Sequence, residues 1–340
     1  MKSSSLAEKI KKQEKARMYQ RVGVAVIGGT VVLGGALFLV APLLSDQFAM
    51  VAAQLGSNAS GQQAAVAASI ATSTPTNPDA YSHLSLIGKS AIVYDLSTGK
   101  TLYAQNAYAS LPLASITKLL TLYAALNILT PTSTVTMTPV ALSQAGDAAD
   151  NGFSPGETFG FEDLARLTLA ASSNDGAEAI AEAADAAGNT TTDVLLSNAV
   201  SELALTQTHA VNSTGLDVDT TNSGGYGSAH DVAVLAGALI KKSPDIARAT
   251  TLPSVSITSQ QGITHSFANT DVDVTEYPNL LLSKTGYTDL AGGNLVIVFD
   301  IGIDHPIAIV VLGSTEDGRF TDMQQLMRAT LAYFGGANAS

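Results

Sequence analysis

The chain has 340 residues, 46% of them hydrophobic and only 14% charged, and it contains no cysteine. That balance excludes global disorder, a disulfide framework and a thiolate metal site. The formal charge of −12 is uneven: residues 1–21 carry seven Lys/Arg against Glu8 and Glu14, or +5, leaving 10 − 27 = −17 for the rest, a body unsuited to nucleic acid.

Residues 1–21 read as a basic cytoplasmic tail because an apolar run adjoins them. VGVAVIGGTVVLGGALFLVAPLL, Val22 to Leu44, has no charge. As a helix it spans roughly 34 Å, against about 30 Å of bilayer hydrocarbon. A signal peptide's apolar region runs only about 7–15 residues. The expectation is therefore one uncleaved transmembrane helix, with the membrane as a partner and a single-pass cell-membrane localisation. The N-terminus would be cytoplasmic and the rest outside. Residues 45–84 are rich in Ala, Ser, Gln, Thr, Asn and Pro and read as a flexible linker.

From Ser85 to Gly335 the composition is that of a folded domain. GKSAIVYDL and KTLYAQ are strand-like runs joined at Ser97, Thr98 and Gly99, a hairpin signal. From Ser115 to about Lys242 the pattern is helical, with FEDLARLTLAAS (Phe161–Ser172), GAEAIAEAADAAG (Gly176–Gly188), TTDVLLSNAVSELAL and SAHDVAVLAGALIKK. Ser228 and Asp231 suit an N-terminal cap of the last of these. Strands return after Pro253 as SVSIT, GNLVIVFDIG (Gly293–Gly302) and HPIAIVVLGS (His305–Ser314), and the chain ends in a helix over Asp317–Gly335. The order implies an α/β (α+β) layout. An antiparallel sheet drawn from 85–110 and 252–335, flanked by N- and C-terminal helices, carries a large inserted helical region over 115–250.

Three short motifs carry chemistry. In PLASITKLLT, Ser115 and Lys118 share a helix face at i and i+3. A hydroxyl is a weak nucleophile until a base takes its proton, and a lysine can be that base only when burial or a second cation lowers its pKa. A second Ser-X-X-Lys, Ser97 to Lys100, lies in the hairpin turn and leaves its lysine in water. Gly99-Lys100-Thr101 fails as a phosphate loop because Tyr94 stands where a glycine is required. Ser172-Ser173-Asn174 falls between two helical runs. Lys284-Thr285-Gly286 follows the apolar run Leu280–Leu282. Serine–lysine, Ser-X-Asn and Lys-Thr-Gly in this order form the set of penicillin-binding proteins and class A β-lactamases.

With AIVYDLSTGKTLYAQNA ahead of PLASITKLLT, and FSPGETFGFEDLARLTLAASSNDGAEAIAE, VNSTGLD (Val211–Asp217) and KTGYTDLAGGNL after it, residues 85–335 resemble the serine-type D-alanyl-D-alanine carboxypeptidases. These are the low-molecular-mass penicillin-binding proteins of the β-lactamase/transpeptidase-like superfamily. The resemblance implies that Ser115 is acylated, Lys118 is its base and Ser172 relays a proton to the leaving amine. Asn174 would hold the substrate amide, and Lys284 and Thr285 its terminal carboxylate. Gly286 would allow close backbone approach, and the N–H groups of Ser115 and Tyr287 would form the oxyanion hole. Lys284 would also depress Lys118 by like-charge repulsion. The implied partners are peptidoglycan stem peptides ending in D-Ala-D-Ala and β-lactam inhibitors, with no metal and no cofactor.

Two positions depart from the family pattern. Ser173 stands where these carboxypeptidases usually carry glycine, and Asn294 where several relatives have cysteine. Among rivals, a class A β-lactamase needs a Glu-X-X-X-Asn pattern after Ser-X-Asn, and none of Glu178, Glu182, Asp185, Asp193 and Glu202 fits it. A zinc peptidase would need clustered ligands, whereas His83, His209, His230, His265 and His305 are scattered. D,D-endopeptidase or transpeptidase activity, or a wall-binding scaffold without activity, remain as alternatives to a carboxypeptidase.

Overall fold

The computed structural model describes residues 79–144, 152–302 and 304–335. The chain divides at Thr74/Pro75, and all described residues lie in the second unit. In chain order they form β1 (Ser90–Asp95), β2 (Lys100–Gln105), β3 (Leu111–Pro112), a 3₁₀ turn (Ala114–Ile116), α1 (Thr117–Ala125), β4 (Thr134–Thr136), α2 (Pro139–Leu142), β5 (Thr158–Gly160), α3 (Phe161–Ala170) and α4 (Asn174–Gly188). There follow α5 (Thr192–Glu202), β6 (His209–Ala210), β7 (Gly225–Gly227), α6 (Ala229–Lys242), α7 (Pro244–Ala249), β8 (Ser254–Thr258), β9 (Thr264–Ala268), β10 (Leu280–Thr288), β11 (Gly292–Asp300), β12 (Pro306–Ser314) and α8 (Gly318–Gly335).

Strands β10-β11-β12-β1-β2 make one five-stranded sheet whose pairs are all antiparallel. Alternation along the strands gives it two apolar faces. Ala91, Val93, Leu295, Ile297, Phe299, Ile307, Ile309 and Val311 pack with Met323, Leu326 and Met327 of α8. Their neighbours Ile92, Val296, Val298, Ala308, Val310 and Leu312 point the other way and join the core of the helical region. Because both faces are covered, β11 and β12 read as unbroken apolar runs instead of alternating ones.

The helical region is inserted between β2 and β10, and its helices start where the sequence supplies caps. Gly176 N donates to Ser173 Oγ (3.0 Å) at α4, and Asp231 N donates to Ser228 Oγ (3.1 Å) at α6; each cap contributes about 1 kcal/mol. The domain is tied together ahead of Ser85 as well. The Tyr81 hydroxyl donates to Thr330 Oγ1 (3.1 Å) on α8 and its ring stacks on Tyr103.

Two expectations need correction. Among the described residues no helix is long and apolar enough to cross a membrane. The longest, α8, carries Arg319, Asp322 and Arg328. The segment 22–44 read as a transmembrane helix lies outside the described residues, as do the basic tail and nearly all of the linker. The fold is therefore assigned without a transmembrane helix, and the membrane partner and the single-pass localisation are withdrawn with it. Of the two flanking terminal helices, α8 alone is found among the described residues. The chain from residue 79 to β1 contributes turns, and the second face of the sheet is covered by α6 from the helical region.

Candidate active site

The site forms where the 3₁₀ turn meets the edge strand β10. Pro112 ends β3, which pairs with β7 (Pro112↔Tyr226), and Ala114 turns the chain with φ +48°. The residues after it wind as a 3₁₀ turn before α1 begins at Thr117, so the helix starts more tightly than its sequence pattern indicates. The tighter winding matters, because side chains at i and i+3 eclipse one another in a 3₁₀ turn. Lys118 Nζ consequently lies 2.8 Å from Ser115 Oγ.

Lys118 is fully buried although it sits in the first turn of a helix. Its amine also donates to Asn174 Oδ1 (2.7 Å) and to the Thr214 carbonyl (3.0 Å). Three acceptors match the three donors of an ammonium; a neutral amine keeps two of these bonds and turns its lone pair toward the Ser115 proton. Burial pushes the Lys118 pKa down from 10.5 to about 7, with Asp175 opposing.

Ser172 stands in the break between α3 and α4 with φ +59°, a left-handed conformation that costs a non-glycine residue roughly 1–3 kcal/mol. Ser173, the departure from the family pattern, closes that break as the N-cap of α4 and puts Asn174 at the start of the helix. From the opposite wall Lys284, on β10, reaches Ser172 Oγ (2.9 Å) and the Thr285 carbonyl (2.9 Å). Ser115 and Ser172 are half-buried, while both amines beneath them are closed off from water.

Burial is the main cause of the Lys118 shift. The repulsion between the two amines is mutual, so each disfavours a charge on the other. Burial, Lys118 and Arg319 together push Lys284 well below 10.5 against the pull of Asp271. A buried ammonium in this position is short of an anion.

Gly286 lies where β10 presses on the 3₁₀ turn: a Cβ there would stand 2.8 Å from the Leu113 carbonyl and 3.3 Å from Ile116 N. Tyr287 comes next on the strand, across that seam from Ser115, with its ring half exposed. Asn294 bridges the same seam, donating to the Pro112 carbonyl (3.0 Å) and accepting from Gly313 N (2.8 Å). The structure thus gathers Ser115, Lys118, Ser172, Asn174, Lys284, Thr285, Gly286 and Tyr287 around one cleft.

Three participants were not singled out from sequence. The Thr214 carbonyl reaches Lys118 because Asn212 Oδ1 folds its loop by accepting from Gly215 N (2.7 Å). Gly215, with φ +78°, lies so close to Ala114 that a Cβ would meet its carbonyl oxygen at 1.9 Å; the Ser-Thr-Gly turn was the available signal. Arg319 on α8 donates to the Gly286 carbonyl (3.0 Å), and no local pattern marks it. Thr270 shares a 2.7 Å hydroxyl contact with Thr285. Among the described residues no three His, Asp or Glu gather as a metal site.

A family model described as D-alanyl-D-alanine carboxypeptidase matches residues 74–316. The chain is 31% identical to the D-alanyl-D-alanine carboxypeptidase DacB2 of Mycobacterium tuberculosis over 72% of its length and 81% of the relative's. It is 28% identical to a D-alanyl-D-alanine endopeptidase of Pseudomonas aeruginosa, covering 77% of this chain and 82% of the other. In three dimensions it is similar to the ampicillin-bound penicillin-binding protein D2 of Listeria monocytogenes, with TM-score 0.61, 26% identity, and 73% and 98% of the two chains covered. With the catalytic-type turn, the helical break and the edge strand all inside the matched span, the chain belongs to the serine D-alanyl-D-alanine carboxypeptidase family, on the fold of the penicillin-binding proteins.

Proposed function

We propose that the protein removes the terminal D-Ala from peptidoglycan stem pentapeptides through an acyl-enzyme on Ser115. The observation that carries this reading is the 2.8 Å contact between Ser115 Oγ and a fully buried Lys118 amine whose pKa is lowered to about 7. Half of that amine is a free base near neutral pH, the range in which a general base works best. Lys118 takes the Ser115 proton as Oγ attacks the carbonyl carbon of the penultimate D-Ala. The N–H groups of Ser115 and Tyr287 stabilise the oxyanion. Ser172, hydrogen-bonded to Lys284, passes its proton to the leaving D-Ala nitrogen and regains one from the Lys118 ammonium, which returns Lys118 to the free base; water then releases the shortened peptide. Lys284 and Thr285 bind the terminal carboxylate, the anion missing from their surroundings, and Asn174 orients the substrate amide while it steadies Lys118.

A β-lactam presents a strained amide and a carboxylate at a comparable spacing and acylates the same serine. The test is covalent labelling of the full chain by a fluorescent penicillin, with D-Ala release from a stem pentapeptide followed in parallel. Ser115→Ala abolishes both if the reading holds; labelling that survives the substitution assigns the nucleophile elsewhere. The similarity to an endopeptidase supports D,D-endopeptidase action as the second reading, and cleavage of cross-linked stem dimers without D-Ala release from pentapeptides would favour it.

A further inference from the structure

Thr285 does not stand alone in the cleft wall. Its Oγ1 lies 2.7 Å from Thr270 Oγ1, and each hydroxyl can donate or accept in that contact. Thr270 in turn is fixed to the helical region: its N–H donates to the Ala170 carbonyl (3.1 Å), and its hydroxyl makes a longer contact of 3.5 Å with the same oxygen. Ala170 is the last residue of α3, just before the strained Ser172. Thr270 therefore bridges the two walls that carry Ser172 and Thr285.

The loop around it is held rigid. Asn269 Nδ2 donates to the Thr250 and Leu252 carbonyls (2.8 and 2.9 Å), and Asp271 N donates to Asn269 Oδ1 (2.9 Å). The buried Asp271 carboxylate accepts from Asp273 N (3.0 Å) and from the Ser283 hydroxyl on β10. With the backbone on either side of it held in this way, the Ala170–Thr270–Thr285 chain can reverse by rotating two hydroxyl protons.

We infer that Thr270 is a positioning residue that polarises the Thr285 hydroxyl toward the substrate's carboxylate. In the empty cleft Thr285 donates to Thr270, and Thr270 donates to the Ala170 carbonyl. When a carboxylate enters, Thr285 turns its proton to it and Thr270 reverses to donate into Thr285. A hydroxyl that accepts one hydrogen bond donates a stronger second one, so the pair grips an anion more tightly than a lone threonine. A neutral group at the same place gains little, because the enhancement acts on a charge-assisted bond. The reversal moves no heavy atom and consumes no strain.

This inference rests on the reading of Lys284 and Thr285 as the carboxylate site, and the experiment separates the two. Acylation of the full-chain protein by ampicillin and by its methyl ester is followed by mass spectrometry, giving the half-saturating concentration and the limiting rate for each. Thr270→Val keeps the shape of the side chain and removes the hydroxyl; Thr270→Ala replaces it if the valine variant does not fold. The expected result is a roughly tenfold higher half-saturating concentration for ampicillin, a limiting rate within about twofold, and no change for the ester. Thr270→Ser restores the ampicillin value. Equal losses for acid and ester, or no loss for the acid while Thr285→Val still separates the two, overturn the inference. If Thr285→Val itself fails to separate acid from ester, the carboxylate reading falls and the inference falls with it.

Discussion

The pH dependence of Ser115 acylation follows from the burial of one amine. An ordinary lysine with pKa 10.5 is a free base in only about 3 molecules in 10,000 at pH 7, whereas at a pKa of about 7 half the molecules are. That difference corresponds to about 5 kcal/mol in favour of the neutral form, and its cause is desolvation, since Asp175 acts in the opposite sense. Between pH 6 and pH 8 the neutral fraction climbs from about 9% to about 91%, so the second-order rate constant for acylation by a β-lactam should rise about tenfold. Stopped-flow or quench measurements from pH 5 to pH 9 read this directly. The same shift has a signature in stability. From about pH 7 to 10.5 the unfolded chain holds a proton on Lys118 that the folded chain has released, so stability rises with pH across that window. Lys118→Met removes its share of that slope together with acylation. A rate that is flat from pH 6 to pH 8, or that rises only near the pKa of an exposed lysine, would refute the assignment of Lys118 as the base.

Gly286→Ala should lower acylation by about 100-fold or more and lower the melting temperature by a few degrees. The added Cβ meets backbone at Leu113 and Ile116 and displaces the turn bearing Ser115, and a misplacement of about 1 Å costs about that factor; penicillin labelling kinetics and thermal melts on one preparation check both halves. A different prediction concerns the buried Glu157–His265 pair (2.7 Å). Burial works to raise the Glu157 pKa, but hydrogen bonds from His265, Ser154 and Ser259 outweigh it and hold it below 4.5. The pair's contribution is thus present above that value and lost as pH falls through the folded pKa. Glu157→Gln should cost about 2 kcal/mol at pH 7, or about 4–8 °C, and the gap to the parent should narrow in melts taken toward pH 3; a gap that does not narrow would deny the pair its charge.

Much of the domain was legible because its signals are local. β1 and β2 flank a Ser-Thr-Gly turn, the helix cap at Ser228 is chemical, and the three motifs keep their spacing from one another. What escaped the sequence depends on distant contact. Strands β3, β6 and β7 are two or three residues long and form a small sheet next to the turn that carries Ser115, too short for any periodicity to register. The 3₁₀ start of α1 follows from Ala114 being wedged against Gly215, a contact across the helical region. Arg319 reads as an ordinary cation near a helix start, and its target, the Gly286 carbonyl, lies on another element. Burial was among the causes expected to lower the Lys118 pKa, but how complete that burial is for a first-turn lysine is set by distant packing.

The placement of the two amines makes the order of events a matter of electrostatics. In the empty cleft Lys284 is buried, faces Lys118 and Arg319, and has Asp271 as its counter-charge, so its ammonium form is disfavoured where it is needed. On the proposed reading, a substrate carboxylate beside Lys284 adds to the pull of Asp271 and favours the ammonium form. A Lys284 held cationic then opposes a second charge on Lys118, which favours the free base 2.8 Å from Ser115. On that reading, the group proposed to hold the end of the peptide also favours the free-base form of Lys118. A ligand without the carboxylate lacks this stabilisation of the Lys284 ammonium. This accounts for a cleft that places two lysines side by side, where burial of either one alone would be costly.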